Sequence, residues 1–433
     1  MKRKLFDKLL VWKENKNRKP LLIQGARQVG KTWLMKSFGK SEFEDVAYIN
    51  LESSKELREL FESTFDLNRI LLGIQVSTGV RVEKGKTLLI IDEIQESPKA
   101  ITALKYFHEN EPEIYVLAAG SLLGVVLHQQ VSFPVGKVEF LTLYPLDFEE
   151  FLLAKGQNEI IALLKNADWE ILNLFKDKIN SLLKEYYFVG GMPEPVSVLL
   201  KTEDFSEVRK VQLGILEAYQ QDFSKHAPVV IVPRIRMVWN AIPSQLTKEN
   251  KKFIYGQIKH GARAKDFELA LAWLIDSGLA LKVNRISKPR LPLKAYEDFN
   301  AFKLFLLDIG IMGAMTEMDA KTMLDGNKLF EEFKGSLTEQ YVLQQLLCND
   351  ISPYYWSAER STAEIDFLIQ SSGRIYPIEV KAEENLKAKS LKFFTEKYEL
   401  PLAIRTSMSG YRKEDWLVNV PLYAIGMLRF DKL

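Results

Sequence analysis

The sequence predicts an α/β protein organised around a parallel sheet, and three observations carry that expectation. First, the apolar run Leu21-Leu22-Ile23-Gln24 leads into Gly25-Ala26-Arg27-Gln28-Val29-Gly30-Lys31-Thr32, and helix-compatible residues follow from Trp33 to Phe38. Second, Thr87-Leu88-Leu89-Ile90-Ile91 is unbroken apolar chain ending in Asp92-Glu93. Strands covered on both faces read this way, without the alternation of a half-exposed strand. Third, Glu364 to Ile369 and Ile375 to Lys381 flank Ser371-Ser372-Gly373, the pattern of two strands around a tight turn.

Composition bounds the rest. A chain of 433 residues is long for one domain. With 47% hydrophobic residues it has ample material for packed cores, which excludes disorder along its length. Lys and Arg number 59 against 57 Asp and Glu, so any nucleic-acid surface must come from local segregation of charge. A single cysteine, Cys348, excludes an intramolecular disulfide and a multi-cysteine zinc site, and the four histidines are not spaced as a metal pair. Met1 to Lys19 is rich in Lys and Arg and has no long apolar core, so no secretory signal is read there. Ile114 to Gly136 lacks charged residues but breaks at Gly120-Ser121, leaving it shorter than the ~20 apolar residues of a membrane span. It is read as a buried strand followed by a helix, and the expected location is the cytoplasm, without a membrane partner.

Residues Gly25 to Thr32 have the spacing G-x-x-x-x-G-K-T between a strand and a helix. Gly25 and Gly30 let the backbone curl so that the N–H groups of Ala26, Arg27, Gln28, Val29 and their neighbours face phosphate oxygens, aided by the helix N-terminus. Lys31 adds a point charge between the β- and γ-phosphates, and the Thr32 hydroxyl ligates magnesium. Asp92 is expected to hold that ion through water, and Glu93 to polarise the attacking water. The strand from Ile114 to Ala119 ends in Gly120-Ser121, and Ser121 reads either as a γ-phosphate sensor or as a turn serine. The expected ligands of this half are ATP and Mg²⁺.

The motifs GARQVGKT, LLIIDEIQ and AAGSLLG, then Pro134 to Val138 and Tyr144 to Phe151, resemble a prokaryotic family of AAA-type P-loop ATPases. Its members carry a C-terminal domain of unknown function similar to restriction-endonuclease-like nucleases. The resemblance implies a sheet of strand order 5-1-4-3-2, with Asp92 and Glu93 as the second phosphate-site motif and Ser121 as first sensor. The family usually has an arginine after the glycine equivalent to Gly136, where this chain has Lys137. Lysine keeps the charge but loses the planar fork, so the arginine that would complete the site is unassigned.

Phe148 to Phe223 has helical periodicity interrupted at Gly190-Gly191-Met192-Pro193, either a lid over the nucleotide or a connector. Arg234 to Leu246, Lys252 to Lys259 and Asp266 to Ser277 read as helices, Leu279 to Ile286 and Phe302 to Leu307 as strands, an order that suggests a winged helix. The third helix has neither Lys nor Arg, unlike a helix that reads a DNA groove. Lys282, Arg285, Lys288, Arg290 and Lys294 read either as phosphate contacts or as a solvated hairpin. The expected division is 1–150 as ATPase core, 151–225 as helical lid, 226–320 as winged-helix-like domain and 321–433 as nuclease-like α/β domain.

In that last part, Glu331 to Leu347 is a long amphipathic pattern presenting Glu339. Alternate strand residues share a face, so Glu379 projects with Lys381, and Glu364 with Asp366. The set resembles the PD-(D/E)xK nuclease core: Glu339 matches the helix acid, Asp366 the strand acid, Glu379 and Lys381 the E-x-K. By that resemblance Glu339, Asp366 and Glu379 bind Mg²⁺ or Mn²⁺ and Lys381 acts on the nucleophilic water. A merely solvated hairpin, or a nuclease relic kept for shape, stays open beside it. The expected function is a Mg²⁺-dependent ATPase coupling ATP to DNA processing through the nuclease-like domain. The alternative is a nucleotide-switched regulator of protein partners with an inactive nuclease-like module. Either function is compatible with a homo-oligomer.

Overall fold

The charge-free runs of the first 145 residues form the centre of a five-stranded parallel sheet, in a computed structural model that describes residues 1–121, 124, 133–248, 251–323, 331–358, 363–383 and 388–430. The chain divides into two compact units, Met1–Tyr144 with Asp276–Gly278, and Pro145–Ile275 with Leu279–Leu433.

In the first unit the strands are β1 (Leu21–Gln24), β2 (Asp45–Asn50), β3 (Thr87–Asp92), β4 (Tyr115–Gly120) and β5 (Glu139–Thr142), in the spatial order 2-3-4-1-5. All pairs are parallel. This is the expected order, read from the other edge. Every residue of β3 is buried, as its alternation-free sequence requires. The helices are α1 (Leu5–Glu14), α2 (Lys31–Glu42), α3 (Lys55–Ser63), α4 (Leu67–Thr78) and α5 (Pro98–Asn110). Their starts are written in the sequence. Asp66 caps α4 by accepting from Asn68 and Arg69 N–H, and Ser97 caps α5 ahead of a proline in its first turn. One core joins Leu22, Ile49, Leu89 and Ile91 of the sheet to Phe61, Ile70 and Leu104 of the helices. The helix expected after β4 lies outside the described residues.

The second unit begins with helices: α6 (Phe148–Ala154), α7 (Asn158–Asn166), α8 (Trp169–Leu174), α9 (Lys176–Val189), α10 (Pro193–Thr202), α11 (Phe205–His226), α12 (Val232–Leu246) and α13 (Ala264–Asp276). Asp147 and Glu150 close a capping box at the start of α6. The sequence then alternates between sheet and helix: β6 (Ala280–Ile286), β7 (Glu297–Leu306), α14 (Ile309–Met315), α15 (Glu331–Cys348), β8 (Tyr354–Ser357), β9 (Glu364–Ser371), β10 (Arg374–Val380), α16 (Lys389–Lys397), β11 (Ala403–Ser407), β12 (Arg412–Lys413) and β13 (Leu417–Pro421).

Two expectations for this region are corrected. Lys252 to Lys259 is not a helix; only one 3₁₀ turn, Tyr255–Gln257, forms there. Gly256 interrupts the segment, and Phe253 N–H bonds to Phe302 O, giving the backbone a partner in β7 in place of a helical one. The antiparallel hairpin β6–β7 is not a free-standing wing either. Through Arg285 opposite Tyr355, β6 pairs with β8 and extends an eight-stranded mixed sheet of order 12-13-11-10-9-8-6-7. Ile286 and Leu293 enter the same core as Trp356, Ile365, Leu368 and Phe394.

The central helix α15 also departs from its expected amphipathic form, being buried on every side from Ser336 to Leu346. Its glutamines explain how polar residues survive there. The Gln340 side chain both accepts from Leu306 N–H and donates to Leu306 O; Gln344 accepts from Ile309 N–H and Gln345 from Phe148 N–H. Three amides thus satisfy backbone groups of three other segments, which a burial penalty otherwise demands. No helix among the described residues is long and apolar enough to cross a membrane.

Candidate functional site

In the first unit the loop between β1 and α2 is shaped by two glycines. Gly25 has φ +145°, and a Cβ there would lie 2.2 Å from Leu143 O, so the close approach of β5's end admits no side chain. Gly30, with φ 95°, turns the chain into α2. Arg3 holds the loop from behind: buried, it donates from Nη1 to Val29 O at 2.7 Å and from Nη2 to Tyr144 O at 2.5 Å. Sequence reading passed over Arg3, because nothing in the basic segment ahead of α1 marks one cation as buried.

Lys31 is buried and donates from Nζ to Gly25 O and Ala26 O, both at 2.8 Å. Burial lowers its pKa to about 8; Glu93 and Asp92 pull the other way, and Arg27 adds to the lowering. Thr32 Oγ1 donates to Asp92 Oδ2 at 2.6 Å, and Tyr48 OH donates to the same oxygen at 3.0 Å. The first helical turn and the end of β3 are thereby joined, as a P-loop site requires. Thr32 and Asp92 form an all-oxygen pair of the kind magnesium prefers. These two residues would hold the ion, Asp92 through water, and the ion would neutralise charge on the β- and γ-phosphate oxygens.

Glu93 follows β3 in the left-handed region, φ 50°. Its Oε2 accepts from Gln95 Nε2 at 2.5 Å and from Ser121 Oγ at 3.3 Å, and Ser121 Oγ accepts from Arg27 Nε at 3.2 Å. Phosphate loop, strand-end acid and the residue after β4 are thus one hydrogen-bonded chain. Gln95 is the second residue missed from sequence; its only signal was a polar side chain two residues past the acid. Lys137, at the position where an arginine was expected, is paired with Glu109 at 3.1 Å.

In the second unit Asp366 and Glu379 lie on neighbouring strands: Val380 N–H donates to Asp366 Oδ2 at 2.8 Å, one step beyond the Ile378–Phe367 register. Lys381 pairs with Glu379 Oε1 at 2.9 Å. Glu339 is buried and is met by two lysines, Lys251 at Oε1 and Lys303 at 3.5 Å from Oε2; Lys303, wholly buried on β7, also pairs with Glu364 at 2.5 Å. Burial would push the Glu339 carboxyl up, but Lys251 and Lys303 outweigh it and hold it at about 2. Asp366 is pushed up to about 7 by burial and the Glu339 charge. Lys303 is held above the ordinary lysine range: Glu364 and Glu339 more than offset its burial.

These residues do not fit a metal centre of the expected kind. Glu339 and Asp366 are joined by a side-chain hydrogen bond, and Asp366 accepts from Val380 N–H beside Glu379; among the described residues no three His, Cys, Asp or Glu form a group that could hold a metal ion. Lysines pair with most of these acids, Lys251 and Lys303 with Glu339, Lys303 with Glu364 and Lys381 with Glu379 Oε1, while Glu379 Oε2 is buried without a hydrogen-bond partner. Of the basic residues around β6–β7, Arg285 is bound to Asp298 at 2.7 Å and Lys282 lies over the Phe302 ring at 4.7 Å, while Lys288, Arg290 and Lys294 are exposed.

Residues 17–152 match the family described as AAA domain, residues 180–322 a domain of unknown function (DUF8612) and residues 334–425 a domain of unknown function (DUF4143). No curated protein matches the chain. Among solved structures, a Walker-type ATPase of Pyrococcus abyssi is 15% identical, with 72% of this chain and 94% of that one covered at a TM-score of 0.46. The Orc1 protein of Aeropyrum pernix, solved in complex with DNA, is 12% identical over 73% and 91% of the two chains, at 0.28. A signal transduction ATPase with numerous domains and a tetratricopeptide repeat sensor, from Pyrococcus horikoshii, is 14% identical over 81% of this chain and 47% of its own, at 0.28. The similarity thus falls on three successive parts of the chain, an AAA domain first and two domains of unknown function after it.

Proposed function

We propose that the chain binds ATP with Mg²⁺ at residues 25–32 and hydrolyses it, and that the nucleotide state regulates what the second unit does. The observation that carries this reading is the 2.6 Å bond between Thr32 and Asp92, with Lys31 folded onto the loop and Glu93 held beside it. A phosphate chain would replace the carbonyl partners of Lys31, and Glu93 would orient the attacking water. Lys31→Ala is expected to abolish ATP binding or turnover, measured by fluorescent-nucleotide titration and phosphate release. Turnover equal to wild type in that variant would end the assignment.

For the second unit, the lysine-balanced acids favour a regulator with a non-cleaving nuclease-like module over an ATP-coupled nuclease. A divalent ion at Glu339 would have to displace Lys251 or Lys303, both already ion-paired there. The assay is cleavage of single- and double-stranded DNA with Mg²⁺ or Mn²⁺, with and without ATP, using wild type beside Asp366→Ala. Absence of cleavage is expected. Cleavage that disappears in the variant would restore the nuclease reading, with DNA as the partner in place of a protein. Stimulation of ATP turnover by DNA is the second measurement that separates the two.

A further inference from the structure

Two glycines distant in sequence make room for one short turn beside the phosphate loop. The tripeptide Asp276-Ser277-Gly278, at the junction of α13 and β6, forms part of the first compact unit, although Ile275 before it and Leu279 after it belong to the second. Gly278 has φ +73°, and a Cβ placed on it would lie 3.2 Å from Ala26 N. That nitrogen belongs to the backbone that a loop of this spacing turns toward phosphate oxygens. A Cβ placed on Gly124 would lie 2.4 Å from Asp276 O, a still closer approach of two backbones. Gly124 comes shortly after Ser121, whose hydroxyl bonds to Glu93. The turn thus lies against both the phosphate loop and the chain that follows the strand-end serine. Ser277 at its centre is buried.

The turn has little slack. Leu279 N–H donates to Leu274 O at 3.0 Å, and Leu307 N–H donates to Leu279 O at 3.1 Å, so the first residue after the turn is bonded both to α13 and to the end of β7. Ala280 pairs with Leu306 in the β6–β7 hairpin, and Trp273 and Leu274 are buried on α13. A shift of the turn therefore carries the end of α13 and the start of β6 with it, because close-packed, hydrogen-bonded elements transmit a displacement instead of absorbing it. Phosphate binding acts on the other side of the same contact. It fixes the orientation of the Ala26 peptide, against which Gly278 packs with no room for a side chain.

We propose that Asp276–Gly278 is a coupling element: it transmits nucleotide occupancy of the phosphate loop to α13 and β6, with Gly278 and Gly124 as its positioning residues. The inference rests on the ATPase reading above and names the route of the regulation proposed there. Coupling of this kind is reciprocal, so a change at the turn alters nucleotide affinity, and nucleotide alters the protection of the elements that flank the turn.

The test is amide hydrogen exchange of the full chain, read over residues 264–286, in Mg²⁺ with and without ADP or a non-hydrolysable ATP analogue. Wild type is compared with Gly278→Ala and Gly79→Ala. Gly79 closes α4 at φ +74°, nearly the backbone of Gly278, but a Cβ there meets open space, so this variant carries the same strain without the contact. Nucleotide is expected to change exchange over 264–286 in wild type and in Gly79→Ala. In Gly278→Ala, at nucleotide concentrations that saturate the loop, that response should be lost. Its nucleotide affinity should shift by roughly 5- to 150-fold, the usual span of allosteric coupling. Nucleotide bound by wild type with no change over 264–286, or a response kept in Gly278→Ala, would overturn the proposal and leave the ATPase reading standing. A wild type that binds no nucleotide overturns both. If Gly278→Ala does not fold, the wild-type exchange decides alone: a response over 264–286 supports the proposal and its absence overturns it.

Discussion

Lys31 shows how a single side chain is prepared for a ligand. Its folded pKa of about 8 lies below the ordinary lysine value of 10.5. The charged form is thus held at a cost below pH 8, and the cost falls as pH rises toward 10.5, because the folded chain loses its proton first. Phosphates next to Nζ reverse the shift, so ATP binding near pH 9 is expected to take up a proton. Calorimetry in buffers of different ionisation enthalpy reads this as a buffer-dependent binding heat; no dependence at that pH would contradict it. Glu93 is the complementary case, an acid placed by backbone geometry and two donors. Glu93→Gln should bind ATP normally and lose turnover by roughly 10²- to 10⁴-fold, the span of general acid–base contributions. The acid and the lysine were legible in sequence. Arg3 and Gln95 were not, because burial and partners decide their roles and neither follows from residue type.

At the scale of elements, the loop after β1 and the strand β7 make opposite demands. The loop needs emptiness: Gly25→Ala would put a methyl group into Leu143 O at an unfavourable φ. It should lower stability by at least about 1–3 kcal/mol and weaken nucleotide binding, seen as a lower thermal midpoint that ATP fails to raise. Strand β7 needs a charge. Lys303 stands wholly buried between Glu339 and Glu364, and Lys303→Met would leave two acids short of a partner. A loss of about 3–5 kcal/mol is expected on denaturant unfolding, and a change near zero would show the pairing to be inessential. Strand β3 was readable because burial on both faces leaves no choice but apolar residues. Lys303 was not singled out, since a lysine inside an apolar strand acquires meaning only when α15 and β9 bring their acids to it.

For the whole molecule, what counts is which segments share a core. The part matched to the C-terminal family, residues 334–425, excludes the β6–β7 hairpin and the helices that clothe α15. Ile286 and Leu293 would be missing from its core, and the three glutamines of α15 would lose Leu306, Ile309 and Phe148 as partners. A fragment of residues 331–433 should therefore be poorly folded, whereas 145–433 should give a cooperative unfolding transition. Circular dichroism against temperature distinguishes them, and a cooperative transition in the short fragment would contradict this account.

By itself the sequence determined the P-loop, the acids at the end of β3, the parallel class of the first sheet and the hairpin carrying Glu379 and Lys381. These features are local, set by steric needs of glycine, by uniform burial or by the two-residue period of a strand. Tertiary structure alone decided that the β6–β7 hairpin belongs to the C-terminal sheet, and that Lys251 and Lys303 meet Glu339 of α15 and Lys303 meets Glu364 of β9. Those outcomes depend on pairings between residues far apart in the chain, for which charge and hydropathy at one position carry no address. The connection from Arg27 to Glu93 is of the same kind, because the two residues belong to different strand ends and meet only when β1, β3 and β4 lie side by side.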